Sequence, residues 1–313
     1  MLRFLVKRIL LAVVTVWAIA TITFLMAYLA PGDPALIKFG EHSAPAAIAQ
    51  WRHLHGLDLP LPQRYARYML GLLHGDFGTS YADDEPIAGY MLARFPVTAL
   101  LAGLAFALSL VLGSGIGIAS ALRPNRWLDR TLMAAALAGI GVPNFVLAPV
   151  LILIFALKLG WLPVAGWGAP QFLVLPVIVL AARPTALIAR MVRASLIETL
   201  RQDYIRTARA KGLSPARILF VHALKPAFLP ALTTAGVSLG YLLSGSFVVE
   251  TVFAAPGVGM ASFASFIERD YPMIQGVTIL LASIFVVVNL VVDLLQGALD
   301  PRAQAFDAQE ARA

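Results

Sequence analysis

Cysteine is absent from all 313 residues, which excludes disulfides, thiolate catalysis, iron–sulfur clusters and cysteine-ligated zinc. Charge is scarce too, with Asp, Glu, Lys and Arg at 13% of the chain against 59% hydrophobic residues. Soluble domains carry about 25% charged residues. A deficit this large, with mean hydropathy of +0.81, makes lipid the solvent. Three catalytic patterns are also missing. No Gly-x-x-x-x-Gly-Lys-Ser/Thr phosphate loop occurs, since Ala210-Lys211-Gly212-Leu213-Ser214 has the wrong order and spacing. Neither His-Glu-x-x-His nor a Gly-x-Ser-x-Gly elbow is present. Nothing in the chain predicts ATP hydrolysis by the chain itself.

What is present is a series of long apolar runs. The first, residues 9–30, follows Arg3, Lys7 and Arg8 and is long enough to span a hydrocarbon core of about 30 Å. A signal peptide also starts basic, but its apolar region is about 7–15 residues, so an uncleaved helix over residues 1–30 is the reading. Residues 31–96 turn polar and form an external segment with short helices of its own. Within it, residues 63–73 have the amphipathic spacing of a helix lying along an interface. Five further spans follow within residues 97–300, at about 97–122, 131–157, 171–191, 227–249 and 273–299. Pro143 and Pro149 fall inside the third span of the chain and predict a kink. Residues 301–313 read as a cytoplasmic tail.

A net charge of +7 raises nucleic acid as a partner. The basic residues form no stripe with interleaved aromatics, however, and gather in short links between apolar runs. Arg123, Arg126 and Arg130 occupy one such link. Arg190, Arg193, Arg201, Arg206, Arg209, Lys211, Arg217 and Lys225 crowd another. This positive-inside bias predicts six transmembrane helices with both termini in the cytoplasm, an all-α polytopic membrane protein without nucleic-acid partners.

The second of these links is the most informative part of the chain. Residues 195–211 carry apolar positions at three- and four-residue spacing and predict a helix. Gly212 stands where a left-handed cap is needed. Ser214 then caps a second helix starting at Pro215, where a missing N–H costs least. That helix presents Ile218, Leu219, Phe220 and Val221 until Pro226 interrupts it. A basic, partly apolar helix on a Gly-Leu-Ser-Pro elbow is a knob for a partner's groove. Juxtamembrane arginines that hold topology and anionic lipid are the simpler alternative for Arg190 and Arg193.

This stretch resembles the cytoplasmic coupling loop of binding-protein-dependent ABC importer permeases, in their dipeptide/oligopeptide/nickel subgroup. The family loop opens Glu-Ala-Ala, has Gly four residues after the second Ala, and ends Ile-x-Leu-Pro. Here Arg206 and Thr207 replace the Glu and first Ala, while Ala208 and Gly212 match. His222 stands for the Ile, Leu224 matches, and Lys225 replaces the Pro. The resemblance extends to Leu29-Ala30-Pro31-Gly32-Asp33-Pro34, to Gly75-Asp76-Phe77-Gly78-Thr79-Ser80, and to Glu250-Thr251-Val252-Phe253 with Pro256-Gly257-Val258-Gly259.

It implies a type I ABC importer permease fold in a bacterial or archaeal plasma membrane, forming half of a pore for di- or oligopeptides or a related solute. The implied partners are a second homologous permease, two ATPase subunits and an external solute-binding protein. ATP and Mg are implied to be used by those partners, with no cofactor bound by this chain. The implied coupling loop is residues 195–225, with Asp203, Arg206, Thr207, Ala208, Gly212, Ser214, Pro215, Ile218, Leu219, His222 and Leu224 as its docking set.

Polar residues inside the spans are the other candidates. Asn144, Arg183, Asn289 and Asp293 lie at membrane depth, where an ionisable group faces a cavity or a partner charge. An Arg183–Asp293 pair packing two helices together is the first expectation, with a substrate path or snorkelling as alternatives. Asn144 beside Pro143 either lines the pore or satisfies backbone groups freed by the proline. His53 and His55, two residues apart, do not share a helix face and read as surface residues rather than metal ligands. A stand-alone secondary transporter remains the rival function. It predicts inverted repeats and midplane ionisable pairs, which six unequal spans do not display.

Overall fold

The computed structural model describes residues 2–40, 44–244 and 246–299, and the predicted tail at 301–313 lies outside them. Helix α1, Leu2–Leu29, is the first apolar run. Three short helices lie in the polar segment that follows: α2 (Pro34–Phe39), α3 (Pro45–Leu54) and α4 (Leu61–Leu73). Next come α5 (Ile87–Leu122), α6 (Trp127–Gly141) and α7 (Asn144–Leu151), the last continued by wider π-type turns over Ile152–Lys158. Helix α8 is Gln171–Leu200 and α9 is Asp203–Ala210. A single turn, α10 (Pro215–Arg217), widens into π turns over Ile218–Ala223 that run into α11 (Leu224–Ser244). Two short helices, α12 (Phe247–Val252) and α13 (Val258–Glu268), precede α14 (Tyr271–Leu299).

Five helical stretches are long and apolar enough to cross a membrane, and a sixth crossing is possible only as a broken one. The third apolar run bends at Pro143 as expected, but far more sharply than a kink. It consists of α6 and α7, bent by 108° at Val142–Pro143. Proline excludes helical backbone at the residue before it, and Val142 is accordingly extended at φ −96°, ψ 115°. Pro149 sits inside α7 without ending it.

Helix α5 begins at Ile87, ten residues before the apolar run expected at 97, and carries Pro96 in its interior. At 36 residues it is about 54 Å long and projects well past a hydrocarbon layer. Its first turns are retained because Ile87 and Met91 are buried against Val258, Met273 and Val277.

Helices α5 and α8 form the centre of the bundle. A Cβ added to Gly117 would lie 2.7 Å from the Ala189 carbonyl oxygen, so bare backbone lets the two helices approach closely. Gly236 does the same for α11 on α14: an added Cβ would come within 2.2 Å of Val292 Cγ2. The main core joins Leu101 and Ala105 of α5 to Val179 and Leu180 of α8, Leu242 of α11 and Phe253 beside α12. Helix α1 rides on the outside of α14, leaving Leu10, Val13, Trp17 and Met26 exposed for lipid. The bundle therefore has two distinct ends. Residues 87 and 91 mark one, with α2, α3, α4, α12 and α13. Ala121, Leu196 and Ile205 mark the other.

Candidate functional site: the elbow at one end of the bundle

Helix α8 runs unbroken past the expected end of its span at residue 191, to Leu200. The helix expected over residues 195–211 is thus two helices, separated by a turn at Arg201–Gln202. A straight continuation would carry Ile205 and Ala208 away from the protein. The turn brings Ile205, fully buried, and Ala208 back against Ala121, Leu196, Ile218, Leu219 and Ala223. Burying such side chains stabilises by about 1.5–3 kcal/mol for the larger ones.

The cap on α9 is local and complete. Gly212 adopts φ +77°, the left-handed region where a side chain is strained. Its N–H donates to Arg209 O at 2.9 Å, and that of Leu213 donates to Ala208 O at 3.3 Å. This pair of bonds is the Schellman closure of a helix end. Nothing lies within 4 Å of a Cβ built on Gly212, so the elbow's tip points into open space. Ser214 Oγ accepts from Arg217 N at 3.3 Å, and Pro215 takes the first helical position. Downstream, Pro226 does not interrupt the helix, because the π turns before it release the hydrogen bond it cannot donate.

The elbow has two faces. Ile205, Ala208, Ile218 and Leu219 point inward. Asp203, Arg206, Thr207, Arg209, Gly212, Ser214 and Pro215 are exposed, while His222 and Leu224 are half-buried. Arg206 Nη1 donates to Asp203 Oδ1 at 3.1 Å and Thr207 Oγ1 donates to Asp203 O at 3.1 Å, both at the surface. Tyr204, Phe220 (67% exposed) and Val221 add unpartnered apolar area to this basic face. The face therefore presents basic charge together with exposed apolar area.

The membrane-depth candidates do not converge. Asp293 pairs with Arg8 of α1 at 2.6 Å, and Arg183 instead lies over the Tyr241 ring at 5.1 Å. The expected Arg183–Asp293 pair is therefore not formed, because α11 packs on both α8 and α14 and stands between them. Asn289 Nδ2 donates to Phe285 O at 3.0 Å, one helical turn back. Asn144 opens α7, half-buried, directly after the 108° break. Of the two arginines read as juxtamembrane, Arg190 is exposed, whereas Arg193 makes a bidentate pair with buried Asp129 at 2.6 and 2.7 Å. His53 meets Asp58 at the surface, and no cluster of three metal-ligating side chains occurs among the described residues.

Sequence reasoning quoted Glu250 only within a resembling fragment and gave neither it nor Asp270 a role, yet these residues organise the opposite end. Glu250, fully buried, accepts from Thr98 Oγ1 at 2.8 Å, from Met260 N at 3.0 Å and from Ser246 Oγ. Gly257 and Gly259 leave the room it occupies. Asp270 caps the start of α14 and accepts from Ser80 Oγ at 2.5 Å and Tyr81 N at 3.1 Å. Tyr81 itself is pushed up to about 12 by burial. Among the described residues neither carboxyl forms an ion pair. Thr98 and Ser80 lie 152 and 190 residues away from them in sequence, which no local pattern reveals.

A bundle with five, or up to six, helical stretches long and apolar enough to cross a membrane is the architecture of a polytopic membrane protein. Two family profiles identify it further. "Binding-protein-dependent transport system inner membrane component" matches residues 113–305, and the corresponding N-terminal profile matches residues 1–102. The chain belongs to this family of bacterial ABC importer permeases and is a multi-pass protein of the inner membrane.

Similar proteins include the "Glutathione transport system permease protein GsiC" of Salmonella paratyphi A, 40% identical over 301 residues, covering 96% of this chain and 98% of that one. The proteins of the same name from Pectobacterium atrosepticum and Escherichia coli K12 are 38% identical over the same length and coverage. Among solved structures, the inward-facing MetNI methionine ABC transporter superposes with a TM-score of 0.60 at 22% identity, covering 69% of this chain and 99% of that one. This likeness places the fold with type I importer permeases.

Proposed function

We propose that this chain forms half of an importer's translocation pore for short peptides or a glutathione-like solute, with both termini and the elbow in the cytoplasm. A second homologous permease completes the pore, two ATPase subunits seat on residues 195–225, and an external binding protein delivers cargo. ATP and Mg are used by the ATPase subunits. The relatives' glutathione transport supports the substrate class.

The observation that carries the reading is the elbow's division into a buried anchor and an exposed basic face. Ile205 and Leu219 tie it to α5 and α8, so a push on its tip moves helices rather than a loop. Coupling requires that the ATPase contact differ between the pore's two states, and a rigidly anchored elbow transmits such a difference.

The lack of cysteine makes the test clean. A Thr207→Cys variant gives one reactive thiol on the exposed face. In intact cells a membrane-impermeant maleimide leaves it unlabelled. In inverted vesicles it labels, and bound ATPase subunits protect it. Labelling from outside, or no protection by the ATPases, rejects this assignment. The cargo follows from mass spectrometry of ligand retained by the cognate binding protein.

A further inference from the structure

At the end of the bundle opposite the elbow, a cavity of about 410 Å³ opens between the end of α1, the start of α14 and helix α4. That volume is within the range of about 300–1,000 Å³ typical of ligand sites. Its depth is fixed by its walls. Phe24 and Tyr28 come from the last two turns of α1, and Tyr271 and Gln275 from the first turns of α14. Both helices are membrane spans, so the cavity lies where the apolar layer meets headgroups.

Two guanidiniums line it. Arg64 lies 5.4 Å over the Tyr28 ring, and Arg67 is packed against Gly56. Neither forms an ion pair among the described residues. Asp76 is the carboxylate in the lining, and its Oδ1 is occupied by Gly78 N at 2.8 Å. An excess of cationic charge held beside tyrosines suits an oxyanion, because a guanidinium grips phosphate or carboxylate in two-pronged fashion.

The rim chooses between the sources of that oxyanion. Leu54, in the lining, is 66% exposed. A soluble carboxylate has no use for a leucine standing in the open. A phospholipid does, since its acyl chains cover apolar surface at this depth while its phosphate sits at the polar boundary.

We propose that this cavity holds the phosphate of an anionic phospholipid in the leaflet opposite the elbow, with its acyl chains against Leu54. The site anchors α4 and ties the external segment to α1 and α14 through a lipid.

The test uses the purified full-length chain and phosphatidylglycerol as probe, with phosphatidylcholine, inorganic phosphate and glutathione in parallel. Native mass spectrometry is expected to show one phosphatidylglycerol retained more firmly than the rest, and that lipid is expected to raise the unfolding temperature while phosphatidylcholine does not. Arg64→Gln and Arg67→Gln should each weaken retention about fivefold, whereas Arg123→Gln, at the other end of the bundle, should leave it unchanged. Should Arg64→Gln not fold, Arg67→Gln, at an exposed side chain, supports the same comparison. Equal retention by the arginine variants overturns the proposal. So does displacement of the lipid by inorganic phosphate or glutathione at matched concentration, which would make this a site for a soluble anion.

Discussion

The two ends of this bundle are held by opposite means. At the elbow, Ile205, Ala208, Ile218 and Leu219 sit in a small apolar core, and polar bonds serve mainly to cap helices. At the far end, Glu250 and Asp270 are buried without ion pairs among the described residues and gather donors from segments distant in sequence. The apolar anchor leaves the elbow's polar surface free for a partner. The carboxylate clamps use their polar groups internally and lock α5, α12, α13, α14 and the Ser80–Tyr81 turn together. Substitutions at the far end should therefore cost stability, while substitutions at the elbow tip should cost coupling.

Glu250→Ala should have the largest effect. It strands Thr98, Ser246 and the Met260 N–H, each worth about 1–3 kcal/mol when buried and unsatisfied. Thermal unfolding in detergent should show a loss of folded protein, with Thr98→Val partly reproducing it. Gly236→Val comes next, because the new side chain collides with Val292 and overpacking costs about 1–3 kcal/mol. The same melting measurement checks it.

Gly212→Ala should cost about 1–2 kcal/mol of backbone strain, with no clash, since the added methyl meets open space. The protein should fold nearly as well as the unaltered chain, and ATP-driven uptake should fall far more than the unfolding temperature does. Ser214→Ala is the smallest, about 1 kcal/mol through loss of a helix cap, with a modest fall in uptake. If Glu250→Ala left stability untouched and Gly212→Ala destroyed it, the contrast between the ends would fail.

The same contrast explains what was legible in the sequence. Apolar runs announce the spans because lipid imposes their length, and Gly212, Ser214 and Pro215 announce the elbow because caps act within a few residues. The break at Arg201–Gln202 was not legible, since the spacing of Ile205 and Ala208 fits a continuous helix and only the core they return to shows the turn. The pairing of Asp293 with Arg8 rather than Arg183 depends on which helices are neighbours, and so do the partners of Glu250 and Asp270. Helix adjacency is a property of packing, and hydropathy carries little of it.

The central claim is that energy enters through the elbow from ATPase subunits bound there. Its most direct test reconstitutes the chain with its partner permease, ATPases and binding protein in liposomes, and compares it with a complex carrying Gly212→Trp. The bulky side chain at the exposed tip should leave the permease folded and abolish ATP-driven uptake, while ATP hydrolysis no longer responds to the loaded binding protein. Unimpaired uptake by the variant, or uptake by this chain alone driven by an ion gradient, would contradict the account.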